Sequence, residues 1–333
     1  MYATVSVSFC RSFTLSIFIF ASWSAQASND WLAVTIDNDF FVGDDSGYTN
    51  GFVVSVFDAG ESGEQPDPGV LLAPLRWSID ADNAVQNING YALGQLMVTP
   101  SQTDTRTVSD DDVPYSGLLF VTNVHLAVNA DYADVIGTTI GVVGPASGAR
   151  QTQTFFHHLI GNSEPKGWDN QLGNELVFQF ERGRIWRLWA STSDTRDVVA
   201  GVDGKLGTLS SELGVGMVAR YGKGLQNTYA APILASGRIV NPIAIDGGWF
   251  VFAGLNGSYT FNQIFTDGNT FKDSPSVDYD HVQLGGSIGL AYSWQDVSVT
   301  FALSDLNMLE SIDLEENKES LTRFGTLTFA WRL

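Results

Sequence analysis

The last third of the chain alternates between apolar and small or polar residues. Leu327, Phe329, Trp331 and Leu333 are separated by Thr328, Ala330 and Arg332. Val297, Val299, Phe301 and Leu303 are separated by Ser298, Thr300 and Ala302, and Leu290 and Tyr292 follow Gly289 and Ala291. A period of two puts all the apolar side chains of a segment on one face, which is the signature of a β-strand. Such runs of about 9 to 14 residues suit a tilted strand crossing a bilayer, whereas soluble sandwich strands are nearer about 5 or 6. The pattern therefore predicts an all-β fold, a transmembrane antiparallel up-and-down β-barrel.

Further strands are predicted at 31–36, 51–57, 91–98, 118–128 and 135–143. With both chain ends on the periplasmic side, inner turns are short and outer loops long. Residues 293–296 then form an inner turn, and the acidic stretch 306–320 an outer loop. Glycine-rich segments blur the strand boundaries over 197–221, and parity makes 222–248 an inner connection, long for its kind. Three segments fall on the outer rim: 37–50, 99–117 and 144–171. In the third, Ala149–Ile160 carries Thr152, Phe155, Phe156 and Leu159 at helical spacing, while Gln153 and His157 share a different face four residues apart. A short amphipathic helix is predicted there.

At the N-terminus, Arg11 precedes an apolar run over 13–23 and then Ser24-Ala25-Gln26-Ala27. This reads as a signal peptide, residues 1–27, with cleavage after Ala27 and a barrel domain over 28–333. The run is too short for a spanning helix of about 20 residues. Cys10, the single cysteine, lies inside it. A chain processed in this way has no disulfide, thiolate metal site or cysteine nucleophile. The formal net charge of -20 argues against nucleic acid as a partner.

Candidate chemistry gathers on the outer rim. Asp37-Asn38-Asp39 and Tyr48-Thr49-Asn50-Gly51 have the composition of an ordinary hairpin loop. Their side-chain oxygens also suit calcium, which prefers carboxylates, amide carbonyls and water. No Gly-x-Ser-x-Gly elbow supports a hydrolase-type serine.

Taken in order, several motifs resemble the lipid A 3'-O-deacylases of Gram-negative outer membranes. They are Asn38-Asp39, Tyr48-Thr49-x-Gly51, Thr99-Pro100, Asp112-Val113-Pro114-Tyr115-Ser116-Gly117, Gly144-Pro145, Gln153-x-x-x-His157-x-x-Ile160-Gly161 and Gly167-Trp168-x-x-Gln171. The resemblance covers most of the chain beyond residue 27. It implies a twelve-stranded barrel of the cell outer membrane with a calcium-dependent site near the outer rim. It also implies lipopolysaccharide as substrate and a monomeric state.

Carried over, Asn38, Asp39 and Thr49 match active-site positions, His157 the catalytic histidine and Gln153 its neighbour. Ser163 stands where the family has a glutamate, with Glu164 next to it; these two and Trp168 are assigned to the substrate side. Val113 replaces the family's arginine before Pro-Tyr, and Thr105 stands near the place of a lysine.

The expected mechanism is ester hydrolysis, with His157 as general base toward water. Calcium on Asn38 and Asp39 polarises the carbonyl, Gln153 orients the histidine or the water, and Thr49 donates to the oxyanion, binds metal or acts as nucleophile. Two other readings stand beside it. One is a catalytically inactive barrel acting as a channel or structural protein; the other is a serine–histidine phospholipase.

Overall fold

The computed structural model describes residues 31–38, 47–58, 68–109, 111–161, 163–225, 248–305 and 323–333. The predicted signal peptide, Asp39, the outer loop 306–320 and most of 222–248 lie outside the described residues.

The described residues form twelve strands: β1 (Trp31–Asn38), β2 (Gly47–Asp58), β3 (Gln86–Thr99), β4 (Ser116–Val128), β5 (Tyr132–Val143), β6 (Glu175–Ala190), β7 (Arg196–Gly207), β8 (Ser210–Lys223), β9 (Trp249–Gln263), β10 (Val282–Trp294), β11 (Val297–Asp305) and β12 (Arg323–Arg332). Each pairs antiparallel with its sequence neighbour, and β1 pairs with β12 to close the barrel. Closure pairs every strand on both edges, which is what a sheet in hydrocarbon requires. Two helices accompany the strands, α1 (Ala149–Ile160) and α2 (Ile264–Asp267).

The blurred region 197–221 separates into β7 and β8, joined through 208–209 at the outer rim. A second long inner connection, besides the expected one at 222–248, lies between β2 and β3, where residues 59–85 intervene. Part of that stretch folds into two single turns of 3-10 helix, Val70–Leu72 and Arg76–Ser78.

Register separates the two faces of the wall. Val202, Leu206, Val215, Met217, Val251, Leu255, Ile288, Leu290 and Phe329 stand exposed on the lipid side. The opposite face turns inward, and it is filled rather than hollow. Trp31, Phe57, Phe120, Val124, Ile185 and Val199 pack as an apolar core, and Phe250, Phe252 and Val218 form a second cluster. Paired charges complete the filling. Lys205 Nζ lies 2.6 Å from Glu212 Oε1, and Arg220 Nη2 lies 2.7 Å from the buried Asp197.

A lumen packed in this way resembles the small barrels whose interiors are occupied by side chains. In planar bilayers the purified protein is therefore expected to give no stepwise ion conductance. Stable, voltage-independent steps would restore the channel reading.

Candidate active site

The outer ends of β1 to β4 form one row on the lipid-facing side. Leu32, Val34 and Ile36 alternate with the buried Trp31, Ala33, Thr35 and Asp37. The same alternation gives Asn38 the outward phase, and it is half-buried where β1 ends. Asn38 pairs with Asn50, Asn50 with Met97, and Met97 with Gly117. Neighbouring strands lie about 4.8 Å apart, so the row spans roughly 14 Å.

Between Tyr48 and Asn50 the β2–β3 register slips by one residue, which makes Thr49 the extra residue of a bulge. Bulges of this kind re-aim the chain and recur beside active sites. Asp37 stands in the same oxygen-rich run as Asn38 but on the opposite face of the wall. It is fully buried on the lumen side and accepts a hydrogen bond from Thr326 Oγ1 at 2.7 Å. Its place in the alternation, one residue before Asn38, was the available signal of that face.

Helix α1 has the predicted boundaries and docks against this row from outside the barrel. Its first residue, Ala149, packs with Met97, Tyr115 and Trp168. The approach is possible because position 117 has no side chain. A Cβ on Gly117 would lie 2.2 Å from the Ala149 Cβ and 2.4 Å from Ser147 Oγ. Gln95 Nε2, on the same face, donates to the Ser147 carbonyl at 2.6 Å and ties the entry to the helix to the wall.

With Ala149 and Gln153 turned inward, Phe155, Phe156 and Leu159 are left exposed, at 63%, 46% and 70%. The apolar stripe seen in the sequence thus faces away from the barrel.

Gln153 and Trp168 hold each other. The indole N–H of Trp168 donates to Gln153 Oε1 at 2.6 Å, and both side chains are buried. Trp168 also lies against the Tyr115 ring, with centroids 5.0 Å apart. Trp168, expected on the substrate side, lies beneath the helix with its indole on Gln153. The Gln153 oxygen accepts that bond, four residues before His157 on the same helix. Burial pushes the Tyr115 phenol up to about 12, with Asp112 and Asp104 adding to the shift, so the group stays protonated. Its O–H points to the Thr103 carbonyl at 3.4 Å. A buried aromatic pair under a rim helix leaves no periodic trace in a loop sequence.

His157 sits one turn beyond Gln153, half-buried. Helix α1 ends at Gly161, in the left-handed region at φ 79°, whose N–H closes onto the His157 carbonyl. Glycine adopts that conformation at no steric cost. The chain then doubles back, and the Ser163 carbonyl oxygen lies 2.6 Å from His157 Nδ1. A carbonyl cannot donate, so Nδ1 carries the proton, and the neutral ring keeps its lone pair on Nε2.

Ser163 thus acts on the histidine through its backbone. Glu164 pairs with the neighbouring ring instead, its Oε1 2.5 Å from His158 Nε2. Among the described residues no group of three or more His, Cys, Asp or Glu side chains assembles in a way that could hold a metal.

No curated protein sequence matches the chain. Among solved structures, LpxR from Salmonella typhimurium aligns over 91% of this chain and 100% of its own, with a TM-score of 0.69 and 15% identity, which establishes a shared fold. The KdgM porin and the translocator domain of the autotransporter NalP from Neisseria meningitidis align far less well. Their TM-scores are 0.39 and 0.41, at 5% and 8% identity, over 91% and 98% of this chain and 99% and 95% of theirs. The family model described as outer membrane protein LpxR matches residues 10–333. With nearly the whole length matched, the chain belongs to the LpxR family of outer-membrane proteins.

Proposed function

We propose that this protein is an outer-membrane lipid A deacylase that hydrolyses the 3'-linked acyloxyacyl ester, with His157 as general base. One observation carries this reading. The His157 ring is fixed in the tautomer that leaves Nε2 basic, on a helix attached outside the wall at the outer rim. That position faces the leaflet in which lipid A lies. Phe155, Phe156 and Leu159 flank the histidine and are exposed, and they offer an apolar surface to acyl chains.

In the reaction, Nε2 takes a proton from water as the water adds to the ester carbonyl, then returns it to the departing sugar oxygen. Ser163 holds the ring orientation through its carbonyl. Trp168 and Gln153 hold the helix that carries the ring.

Calcium belongs to the proposal through Asn38 and Asp39. An amide oxygen and a carboxylate are the hard donors this ion takes, and Asn50, paired with Asn38 on the same face, adds another amide oxygen. When bound, the ion would supply Lewis acidity at the ester carbonyl and offset the repulsion between an acidic protein and a phosphorylated lipid. Thr49, at the bulge next to Asn50, is proposed as a donor to the developing oxyanion.

The test is mass spectrometry of lipid A after incubating the purified protein with lipopolysaccharide and calcium. Loss of the mass of one acyloxyacyl group is expected, and a chelator should abolish it. Turnover that persists under chelation would remove the metal from the mechanism. Fatty acid released from phosphatidylethanolamine, with lipid A left intact, would support the phospholipase reading instead.

A further inference from the structure

The connection between β2 and β3 belongs to the periplasmic end, yet residues 69–81 do not stand off in water. They lie along the outer wall of β3 to β6. Thr138 Oγ1 donates to the Leu71 carbonyl at 2.9 Å, Arg182 Nη2 to the Ser78 carbonyl at 3.2 Å and Asn87 Nδ2 to the Ala81 carbonyl at 2.9 Å. Leu72 is fully buried against the wall.

The wall beneath this strap is polar. It presents Asn87, Asn89, Asn123, His125, Asp134 and Thr138, all buried. His125 Nε2 lies 3.0 Å from Asn87 Oδ1, Asn123 Nδ2 donates to Asn89 Oδ1 at 3.0 Å, and Asp134 is gripped by Arg182 and Arg184.

Register shows which way this patch faces. Asn123 pairs with Thr138, Thr138 with Phe180 and Phe180 with Leu206; Asp134 pairs with Arg184 and Arg184 with Val202. Leu206 and Val202 belong to the exposed lipid-facing side. A bare patch of this composition would put polar and charged groups into hydrocarbon, where nothing replaces their hydration.

The side of the strap turned from the wall has the opposite character. Val70 and Trp77 are 84% and 85% exposed, with Ala73 and Pro74 exposed between them. Arg76 is exposed as well, and its long stem lets the guanidinium reach the headgroup level while its methylenes stay in hydrocarbon. The strap also satisfies several of its polar groups internally. The Trp77 indole N–H donates to the Pro74 carbonyl at 2.8 Å and Ser78 Oγ to the Leu75 carbonyl at 2.7 Å. Backbone N–H groups of Ala73, Leu75 and Ser78 reach carbonyls three residues back. A tryptophan whose N–H needs no water, on a strap that also exposes a valine, is fitted to acyl chains. Asp80, Asp82 and Asn83 follow at once and are exposed, which marks a return to water.

We infer that residues 69–78 form a strap embedded in the periplasmic leaflet of the membrane, with Val70 and Trp77 seated among phospholipid acyl chains. The strap covers the polar patch and continues the lipid-facing belt of the barrel over it.

The test uses the full-length barrel with Cys10 replaced, so that each added cysteine is the only one. Nitroxide labels at Val70→Cys and Trp77→Cys are compared with Leu290→Cys on the bare wall and Asp82→Cys beyond the strap. The protein is reconstituted in phosphatidylethanolamine–phosphatidylglycerol vesicles, and power saturation is measured with oxygen and with a nickel chelate. Positions 70 and 77 are expected to match 290, with oxygen access several-fold above nickel access, while 82 shows the reverse.

Nickel access at 70 and 77 equal to that at 82 would place the strap in water and overturn the inference. Exclusion of both reagents, with immobilised labels, would mean that protein covers the strap, and would overturn it equally. Should Trp77→Cys fail to fold, Val70→Cys decides alone.

Discussion

Replacing His157 with alanine is expected to lower lipid A cleavage by about 100- to 10,000-fold, the range in which a positioned general base contributes. The barrel should remain intact, because the side chain is half-buried at the rim and alanine favours the helix. Heat-modifiable migration in gels would confirm that. His157→Asn separates proton transfer from positioning. Its amide can still donate to the Ser163 carbonyl, as Nδ1 does now at 2.6 Å, yet it has no basic nitrogen. It should be as inactive as the alanine variant. Activity near wild type in the asparagine variant would leave the histidine a structural role only.

Gly117→Leu is the second large effect expected, and it acts without touching a reacting group. Its Cβ alone would fall 2.2 Å from that of Ala149, so the helix must lift from the wall. Overpacking of this sort costs about 1–3 kcal/mol, and a displacement of about 1 Å in a catalytic group can cost about 100-fold in rate. Cleavage should fall by roughly that factor, while the strands, which do not depend on α1, stay folded. Pairing the milder Gly117→Ala with Ala149→Gly relieves the methyl–methyl clash and should recover part of the loss. No recovery would mean that glycine serves some other need there.

The strands most readable from sequence were those whose outer face meets only lipid. In β10 to β12 one face is apolar and the other small, so alternation is plain. In β3 to β5 the inner face is covered by packed side chains and much of the outer face by α1 and the strap, with Leu119 and Ile140 left exposed between them. Ile136 and Thr138 face outward and are buried, as Val135 and Val143 are on the lumen side. Alternation is muted there because burial no longer alternates.

Helix α1 was legible because Gly148 and Gly161 bracket a 3.6-residue period. What lies beneath it was not, since the bond between Trp168 and Gln153 joins two segments that share no pattern. Glu164 illustrates the same limit. The sequence puts it next to Ser163 but carries no sign that its partner is His158.

The seam between β1 and β12 also bears on how the barrel is made. Every other strand pairs with its neighbour in sequence and could form as a local hairpin. Among the strand pairings only the seam joins the two ends of the chain, as in the 2.9 Å contact between Thr35 and Thr328 across 293 positions. Closing such a long loop carries the largest entropic cost of any pairing here, so it is the natural last step of assembly. Until it forms, β1 and β12 are open edges able to recruit other chains. Loss of even the final strand would therefore leave a sheet prone to aggregation rather than a smaller barrel.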